Sequence, residues 1–451
     1  MIGREDNLKS LQGYFESDKN NLTVLYSRRG LGKTTLIKEF LNGKQSVYYN
    51  ALPLTAGEAL LRFTECASVK LNTEIIAGSY HDAFFKISEA VQGSFVLVIE
   101  NFAGIVKVDR TFMPAVEALV HGHITDKKVM VILTSSSVSW VENSMVSAIG
   151  APAFSINVFM KLKELSYADT VSMFSECDAR TALYIYAITG GNPLYMTRWE
   201  PDKSIRSNVC GLFLSESGPL FSEATDYIRD EFREISVYGV ILSCLSRGLN
   251  KLNDIYEYTG FGRDKISVYL SNLIEREIAE KVFSYEEGGK VNTKKGLYRI
   301  KDDFICFWYR FIYPHYGLLS DMEPEQFFDR FIGDNLDDFV MEAYIKVASE
   351  FLAILSGAGR LPAGSEYKGR WYGKSGDIHI IYENAQHEKT VAQVYVKRAP
   401  VDVKDYETLL TACDIAAKEP ATVYMFTTGS FSDELSAQQG RKLMLVSIDD
   451  L

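Results

Sequence analysis

The chain has 451 residues, 47% hydrophobic and 24% charged, with a formal net charge of -11. That composition excludes a wholly disordered chain, and the length predicts about three domains at ~150 residues each. The acidic balance excludes a surface that is basic throughout, so nucleic acid would have to be met by a local patch. No apolar run approaches the ~18 residues of a membrane span, and Val237 to Leu245 reads as a core stretch. Met1-Ile2-Gly3-Arg4-Glu5-Asp6 has no basic segment followed by an apolar one, so no secretory signal is expected. Cys66, Cys177, Cys210, Cys244, Cys306 and Cys413 form no CxxC pair and read as reduced thiols of a cytoplasmic protein.

In chain order, the first ~160 residues alternate strand-like and helix-like segments, the pattern of a parallel sheet covered by helices. Thr23 to Tyr26 is a short strand, Thr34 to Leu41 a helix, and Ser46 to Tyr49 a second strand. Phe95 to Ile99 and Val129 to Leu133 are continuous apolar runs, as strands buried on both faces require. Ser155 to Leu162 is a candidate fifth strand. From Ser166 to about Arg233 the pattern is helical, broken at Gly190-Gly191-Asn192-Pro193. Residues 235–312 predict three short helices, then a two-stranded ribbon at Ala279 to Phe283 and Leu297 to Ile300, turning at Glu287-Gly288-Gly289. Helices followed by such a ribbon make a winged helix. The last part restarts with a helix over Leu336 to Leu355, a loop over Gly357 to Gly364, and strands at 377–382 and 390–397.

Ser27-Arg28-Arg29-Gly30-Leu31-Gly32-Lys33-Thr34 fits the phosphate-loop pattern G-x-x-x-x-G-K-T, with serine at the first position. A strand precedes it and a helix opens at Lys33. Gly30 and Gly32 let consecutive N–H groups curl around a phosphate, helped by the helix N-terminus. Lys33 is predicted to reach the β- and γ-phosphates and Thr34 to ligate Mg²⁺. The bound group is then ATP or ADP, and Arg29, Leu31 and Thr35 complete the loop.

Several further motifs accompany this loop: Ile2-Gly3-Arg4-Glu5 before a helix, Glu100-Asn101-Phe102 after an apolar strand, and Leu133-Thr134-Ser135-Ser136-Ser137. Leu165-Ser166-Tyr167 and Gly190-Gly191-Asn192-Pro193 follow. Together they make the chain resemble the archaeal-type AAA ATPases of the STAND lineage. The resemblance implies an α/β fold: a P-loop NTPase sheet in the order 5-1-4-3-2 (domain 1–165), a helical lid (166–234) and a winged helix (235–325). It also implies a C-terminal α+β domain similar to restriction-endonuclease-like PD-(D/E)xK nucleases (326–451). By similarity, Ile2, Gly3 and Arg4 lie near the nucleotide base and Pro193 over the nucleotide.

Family members usually end the third strand in Asp-Glu, the first for Mg²⁺ and the second as general base. This chain reads Glu100-Asn101, so Glu100 can serve the metal while Asn101 can orient a water and cannot take up its proton. A shifted register would make Glu100 the base and put Ile99 at the metal. Ser135 and Ser136 stand where the family places a γ-phosphate sensor, with a helix cap as the alternative. The family's Gly-Arg pair is replaced by Gly150-Ala151-Pro152, leaving Arg28, Arg29 or a partner's arginine as substitutes. The Gly190 turn is either the lineage's GxP turn or a plain helix C-cap. Nucleotide binding is expected to be intact and hydrolysis slow.

In the winged helix, Ile266, Leu270, Leu273 and Ile274 recur at helical spacing and should face the core. Arg263, Lys265, Arg276, Lys281, Lys290, Lys294, Lys295, Arg299 and Lys301 form the densest basic cluster. It is either a DNA-contacting patch or a solvated face, interleaved with Glu275, Glu277, Glu280, Glu286 and Glu287. In the C-terminal domain, Gly369 to Ile381 resembles the nuclease stretch ending in Glu-Ile-Asp, with His379 for the Asp. Gln393 and Tyr395 stand for the Glu and Lys of the next strand, Lys397 being the alternative lysine, and Asp337 and Asp377 are the acids left nearby. Metal-assisted cleavage needs converging carboxylates, so a retained fold without chemistry, used to dock a protein partner, is expected over an active nuclease. His121-Gly122-His123 reads as a surface turn, and the aromatic run Phe304, Phe307, Trp308, Tyr309, Phe311, Tyr313, Tyr316 as a core. The function expected is a nucleotide-dependent switch; the alternatives are a DNA-binding protein with a structural P-loop and an Mg²⁺-dependent nuclease.

Overall fold

The structure is a computed structural model that describes residues 1–285, 296–373, 376–416 and 419–451. Lys290, Lys294, Lys295, Glu286, Glu287 and the Gly288-Gly289 turn lie outside the described residues. The chain forms two units: Met1–Leu165 with Asn192–Leu194, and Ser166–Gly191 with Tyr195–Leu451.

The first unit is an α/β layer structure. Its strands are β1 (Asn21–Tyr26), β2 (Ser46–Asn50), β3 (Phe95–Glu100), β4 (Val129–Ser135) and β5 (Val158–Lys161). All pairings are parallel and the order is β2-β3-β4-β1-β5, the expected core order read from the other edge. Every residue of β1, β3 and β4 is buried, which explains why these strands read as apolar runs without alternation. One face packs Leu25, Val96, Val98 and Ile132 against Leu11, Leu36, Ile37 and Phe40 of helices Glu5–Glu16 and Lys33–Leu41. The other packs Leu22, Val24, Leu97 and Val131 against Phe63, Phe84, Val116 and Leu119 of helices Ala56–Leu71, Tyr80–Ala90 and Phe112–Val120. The fifth strand is shorter than the expected Ser155 to Leu162. Gly150 at φ +67° and Pro152 at the start of a tight helical turn shape residues 151–155 instead.

The second unit opens with helix Tyr167–Met173, closed at its start by a Ser166/Asp169 capping box, and helix Ala179–Thr189, buried from Ala182 onward. Helices Ile235–Ser246, Leu252–Thr259 and Arg263–Glu275 precede an antiparallel pair, β6 (Ala279–Val282) and β7 (Leu297–Ile300). Ile266, Leu270 and Leu273 are buried as their spacing requires. Phe304, Phe307, Trp308, Tyr309 and Phe311 are core residues, whereas Tyr316 is exposed. Helix Leu336–Gly357 then packs on a sheet of order β12-β11-β10-β9-β8. Its strands are β8 (Glu366–Trp371), β9 (Ile378–Glu383), β10 (Lys389–Tyr395), β11 (Pro420–Thr427) and β12 (Leu443–Ser447). The pairs β8–β9 and β9–β10 are antiparallel, and β10–β11 and β11–β12 parallel, helix Val403–Ile415 making the first crossover. All six cysteines are unpaired. Among the described residues no helix is long and apolar enough to cross a membrane.

Candidate functional site

The carboxyl ends of β1, β2, β3 and β4 share one rim of the first sheet, where ligands of open α/β sheets bind. The loop after β1 holds Gly30 and Gly32 at φ +85° and +87°, conformations that side chains strain. A Cβ built on Gly32 would meet open space, which leaves a clear hollow at the start of helix Lys33–Leu41. Lys33 is buried, and its ammonium donates to Ser27 O (3.1 Å), Ser27 Oγ (3.0 Å) and Arg28 O (3.2 Å). Burial pulls its pKa down to about 8, with the Glu100 charge opposing that shift. These acceptors belong to the loop itself, and a phosphate would replace them. Leu31 is buried, while Arg29 and Thr35 are exposed.

The Thr34 hydroxyl donates to Glu100 Oε1 at 2.8 Å. Glu100 ends β3 and is buried, whereas Ile99 points into the apolar core. Of the two registers, the geometry therefore joins Glu100, and not Ile99, to the loop. A hydroxyl and a carboxylate converging in this way are hard oxygen donors, and they fit Mg²⁺. Asn101 follows at φ +55° and is exposed, its amide donating to Asn50 Oδ1 at the end of β2 (2.9 Å). Two neutral amides hold each other where a base is expected, and neither accepts a proton. Sequence reasoning missed Asn50, whose only signal is a polar residue ending a strand.

Arg4 makes contacts within the protein itself. It is buried, and its guanidinium donates to Leu31 O (3.1 Å) and Lys163 O (2.7 Å), tying the loop to the segment after β5. Gly3, at φ +66°, makes the turn before it, and Ile2 is exposed. Arg28 forms an ion pair with Glu164, so its charge is already matched. The Gly190 turn closes a helix, and the residues after it touch the phosphate loop. Gly190 caps helix Ala179–Thr189 in the left-handed conformation. Asn192 is buried and lies on the phosphate loop, its Nδ2 donating to Arg29 O (3.4 Å), and Leu194 N donates to Gly30 O (3.3 Å). Pro193 is half-buried and opens the short helix Pro193–Met196. Ser135 is buried and accepts from Ser137 N (3.1 Å), a local turn bond, and Ser136 is exposed in that turn. The helical segment that follows is met by Ser137, whose hydroxyl accepts from Trp140 N (3.4 Å).

Among the described residues of the basic cluster, three are paired with acids. Arg276 pairs with Glu231, Arg299 with Glu280 and Glu342, and Lys301 with Glu277. Arg263 stacks on Tyr256 and Lys265 lies over Phe261, and both are exposed. In the C-terminal domain the two expected acids are engaged with other side chains. Asp337 is bonded to Tyr184 and Arg180. Asp377 precedes β9 and pairs with Arg370 (2.9 Å), which also binds Glu342 (2.7 Å), an acid that sequence reasoning missed. His379 is buried. Its backbone N–H donates to Gln393 Oε1 (3.3 Å), and its Nδ1 accepts from Val394 N (3.2 Å). Burial, reinforced by Arg370 and opposed by Glu342, lowers its pKa to about 3, so the ring is neutral. Lys397 pairs with Asp405 (2.6 Å), and Tyr395 donates to Asp405 O (3.3 Å). His121 bonds Ser155, which bonds Glu117. Among the described residues no three His, Cys, Asp or Glu gather to hold a metal.

Comparison with known proteins supplies independent findings. An uncharacterised protein of Methanocaldococcus jannaschii is 28% identical over 412 residues, covering 90% of this chain and 88% of the relative. A 45-residue stretch is 43% identical to an uncharacterised ATP-binding protein of the same organism, covering 10% of this chain and 76% of that one. A Walker-type ATPase of Pyrococcus abyssi superposes with a TM-score of 0.51 at 14% identity, over 69% of this chain and 96% of that chain, a likeness of fold alone. Residues 308–408 match a family of archaeal and bacterial proteins of unknown function. Residues 1–198 match the family of ATPase domains found predominantly in Archaea, and the loop and sheet described above are similar to those of P-loop ATPases.

Proposed function

We propose that the chain is a nucleotide-dependent switch of the STAND kind, binding ATP or ADP with Mg²⁺ and hydrolysing ATP slowly. The observation that carries this reading is the contact of Thr34 with Glu100 beside the phosphate loop, with Asn101 bonded to Asn50 where a base would act. Lys33 and the N–H groups of the loop would hold the phosphates, and Thr34 and Glu100 the metal, which would neutralise phosphate charge. Asn192 and Leu194 touch the loop directly, so a change there on nucleotide binding has a route into helix Ala179–Thr189 along the chain. The three helices and ribbon are read as a winged helix, and the C-terminal sheet as a nuclease-like domain that has lost its chemistry and offers a surface to a protein partner. In support, the metal positions carry His379 and Gln393, both engaged with the backbone or each other. Exposed Arg263 and Lys265 leave room for modest, electrostatic DNA contact.

The test is thermal denaturation with MgATP and MgADP. A ligand at 100 times its Kd stabilises by about 2.7 kcal/mol, which is several degrees for a domain of this size. Lys33→Ala should abolish that shift. An unchanged shift in the variant would place the nucleotide elsewhere.

A further inference from the structure

The sheet face covered by helix Lys33–Leu41 carries a polar side chain that no motif explains. Tyr48 lies in the middle of β2, between Val47 and Tyr49, which belong to the opposite core. The parallel register sets Tyr48 beside Val98 and Asn50 beside Glu100. Alternate residues share a face, so Tyr48, Val98 and Glu100 are turned toward the same helix. The ring packs in the cluster of Val98, Leu36 and Ile37. Its hydroxyl lies near the Glu100 carboxylate and the Thr34 hydroxyl. A phenol ordinarily keeps its proton at neutral pH, so the oxygen can act toward Glu100 as a donor.

We infer that Tyr48 is a positioning residue for Glu100, holding this carboxylate toward the Mg²⁺ that Thr34 would ligate. The need follows from chain length. A glutamate has one more rotatable bond than the aspartate usual at such a position, and a carboxylate tethered at one oxygen only can swing. Thr34 fixes Oε1, and the phenol supplies a second hold on the same group. Groups that hydrogen-bond behind a metal ligand commonly set its orientation, and losing one weakens metal binding ~10–100-fold. The inference rests on the nucleotide reading above.

The experiment is thermal denaturation of the full chain with ADP, across a Mg²⁺ titration and in EDTA. Tyr48→Phe keeps the ring and removes the donor. It should leave the ADP shift in EDTA unchanged and raise the half-saturating Mg²⁺ concentration by about tenfold or more. In a Glu100→Asp background the shorter carboxylate no longer needs the phenol, and Tyr48→Phe should then change that concentration by less than about twofold, a coupling read from the double-mutant cycle. The inference is overturned if Tyr48→Phe and the parent share one Mg²⁺ dependence. It is overturned equally if the variant loses its ADP shift in EDTA, which would mark a packing defect, or if its effect persists undiminished in the Glu100→Asp background. A parent protein with no ADP shift at all would sink the nucleotide reading first, and this inference with it.

Discussion

Gly30 and Gly32 have nearly the same φ, +85° and +87°, and very different surroundings, which makes Gly30→Ala and Gly32→Ala a controlled pair. Alanine in this half of φ space costs about 1–2 kcal/mol through the backbone alone. At Gly32 that is the whole expected effect, because a Cβ there has nothing within 4 Å. At Gly30 a Cβ would lie 2.6 Å from Asn192 Oδ1, 2.9 Å from its Nδ2 and 3.1 Å from Leu194 Cβ. The Asn192 side chain must move, and it then loses its bonds to Arg29 O (3.4 Å) and Leu194 N (3.0 Å). At about 1 kcal/mol each, with the longer one worth less, Gly30→Ala should be worse by a further ~1–2 kcal/mol. For a unit of this size that separates the two melting temperatures by about 2–8 °C. Thermal denaturation followed by circular dichroism reads the difference. Asn192→Ala, which removes the two nearest obstacles and leaves Leu194 Cβ, should bring the cost of Gly30→Ala down toward that of Gly32→Ala. Equal melting temperatures for the two glycine variants would refute the placement of Asn192 on the loop.

Two further outcomes follow from the electrostatics. Asn101→Glu, in reach of the Asn50 amide, should raise a basal ATPase rate that is expected well below about one per second, since general-base assistance is worth ~10²–10⁴-fold; phosphate release no faster than the parent's, with MgADP binding intact, would count against the vacancy of the base. His379, with its pKa depressed to about 3, leaves the unfolded chain binding more protons between about pH 6.5 and 3, so stability falls as pH is lowered through that window. From pH 7 to 5 the loss amounts to about 2 kcal/mol, and His379→Gln should remove it; parallel pH profiles of urea unfolding for parent and variant would refute the buried neutral ring.

The first sheet is legible in the sequence because its inner strands are buried on both faces, and the phosphate loop because its residues are contiguous. What the sequence hides is non-local. Asn50 and Tyr48 become neighbours of Asn101 and Glu100 only through the β2–β3 register. Glu342 reads as one more polar residue of a long helix until β8 brings Arg370 to it. That strand, Glu366–Trp371, escapes a reading of the sequence, since an edge strand with exposed Glu366, Tyr367 and Lys368 carries little of the apolar signal that marks a buried one. Arg4 and the Gly190 turn stand out as motifs, but their hydrogen bonds to the phosphate loop arise from tertiary packing.

The same distinction bears on the C-terminal sheet. The β9–β10 ladder runs from Glu383↔Lys389 to Ile380↔Ala392 and then gives way to side chains. The next N–H groups on either strand, those of His379 and Val394, are taken up by Gln393 Oε1 and His379 Nδ1. An aspartate at 379 and a glutamate at 393, as metal chemistry would require, could accept such bonds as well, but would bring two negative charges into a buried site. Here Arg370 is already committed to Glu342 and Asp377, so its charge is not free to balance them. A neutral imidazole and a neutral amide satisfy the same backbone donors without that charge. His379 and Gln393 thus complete the sheet where the ladder ends, and they do so without burying a charge.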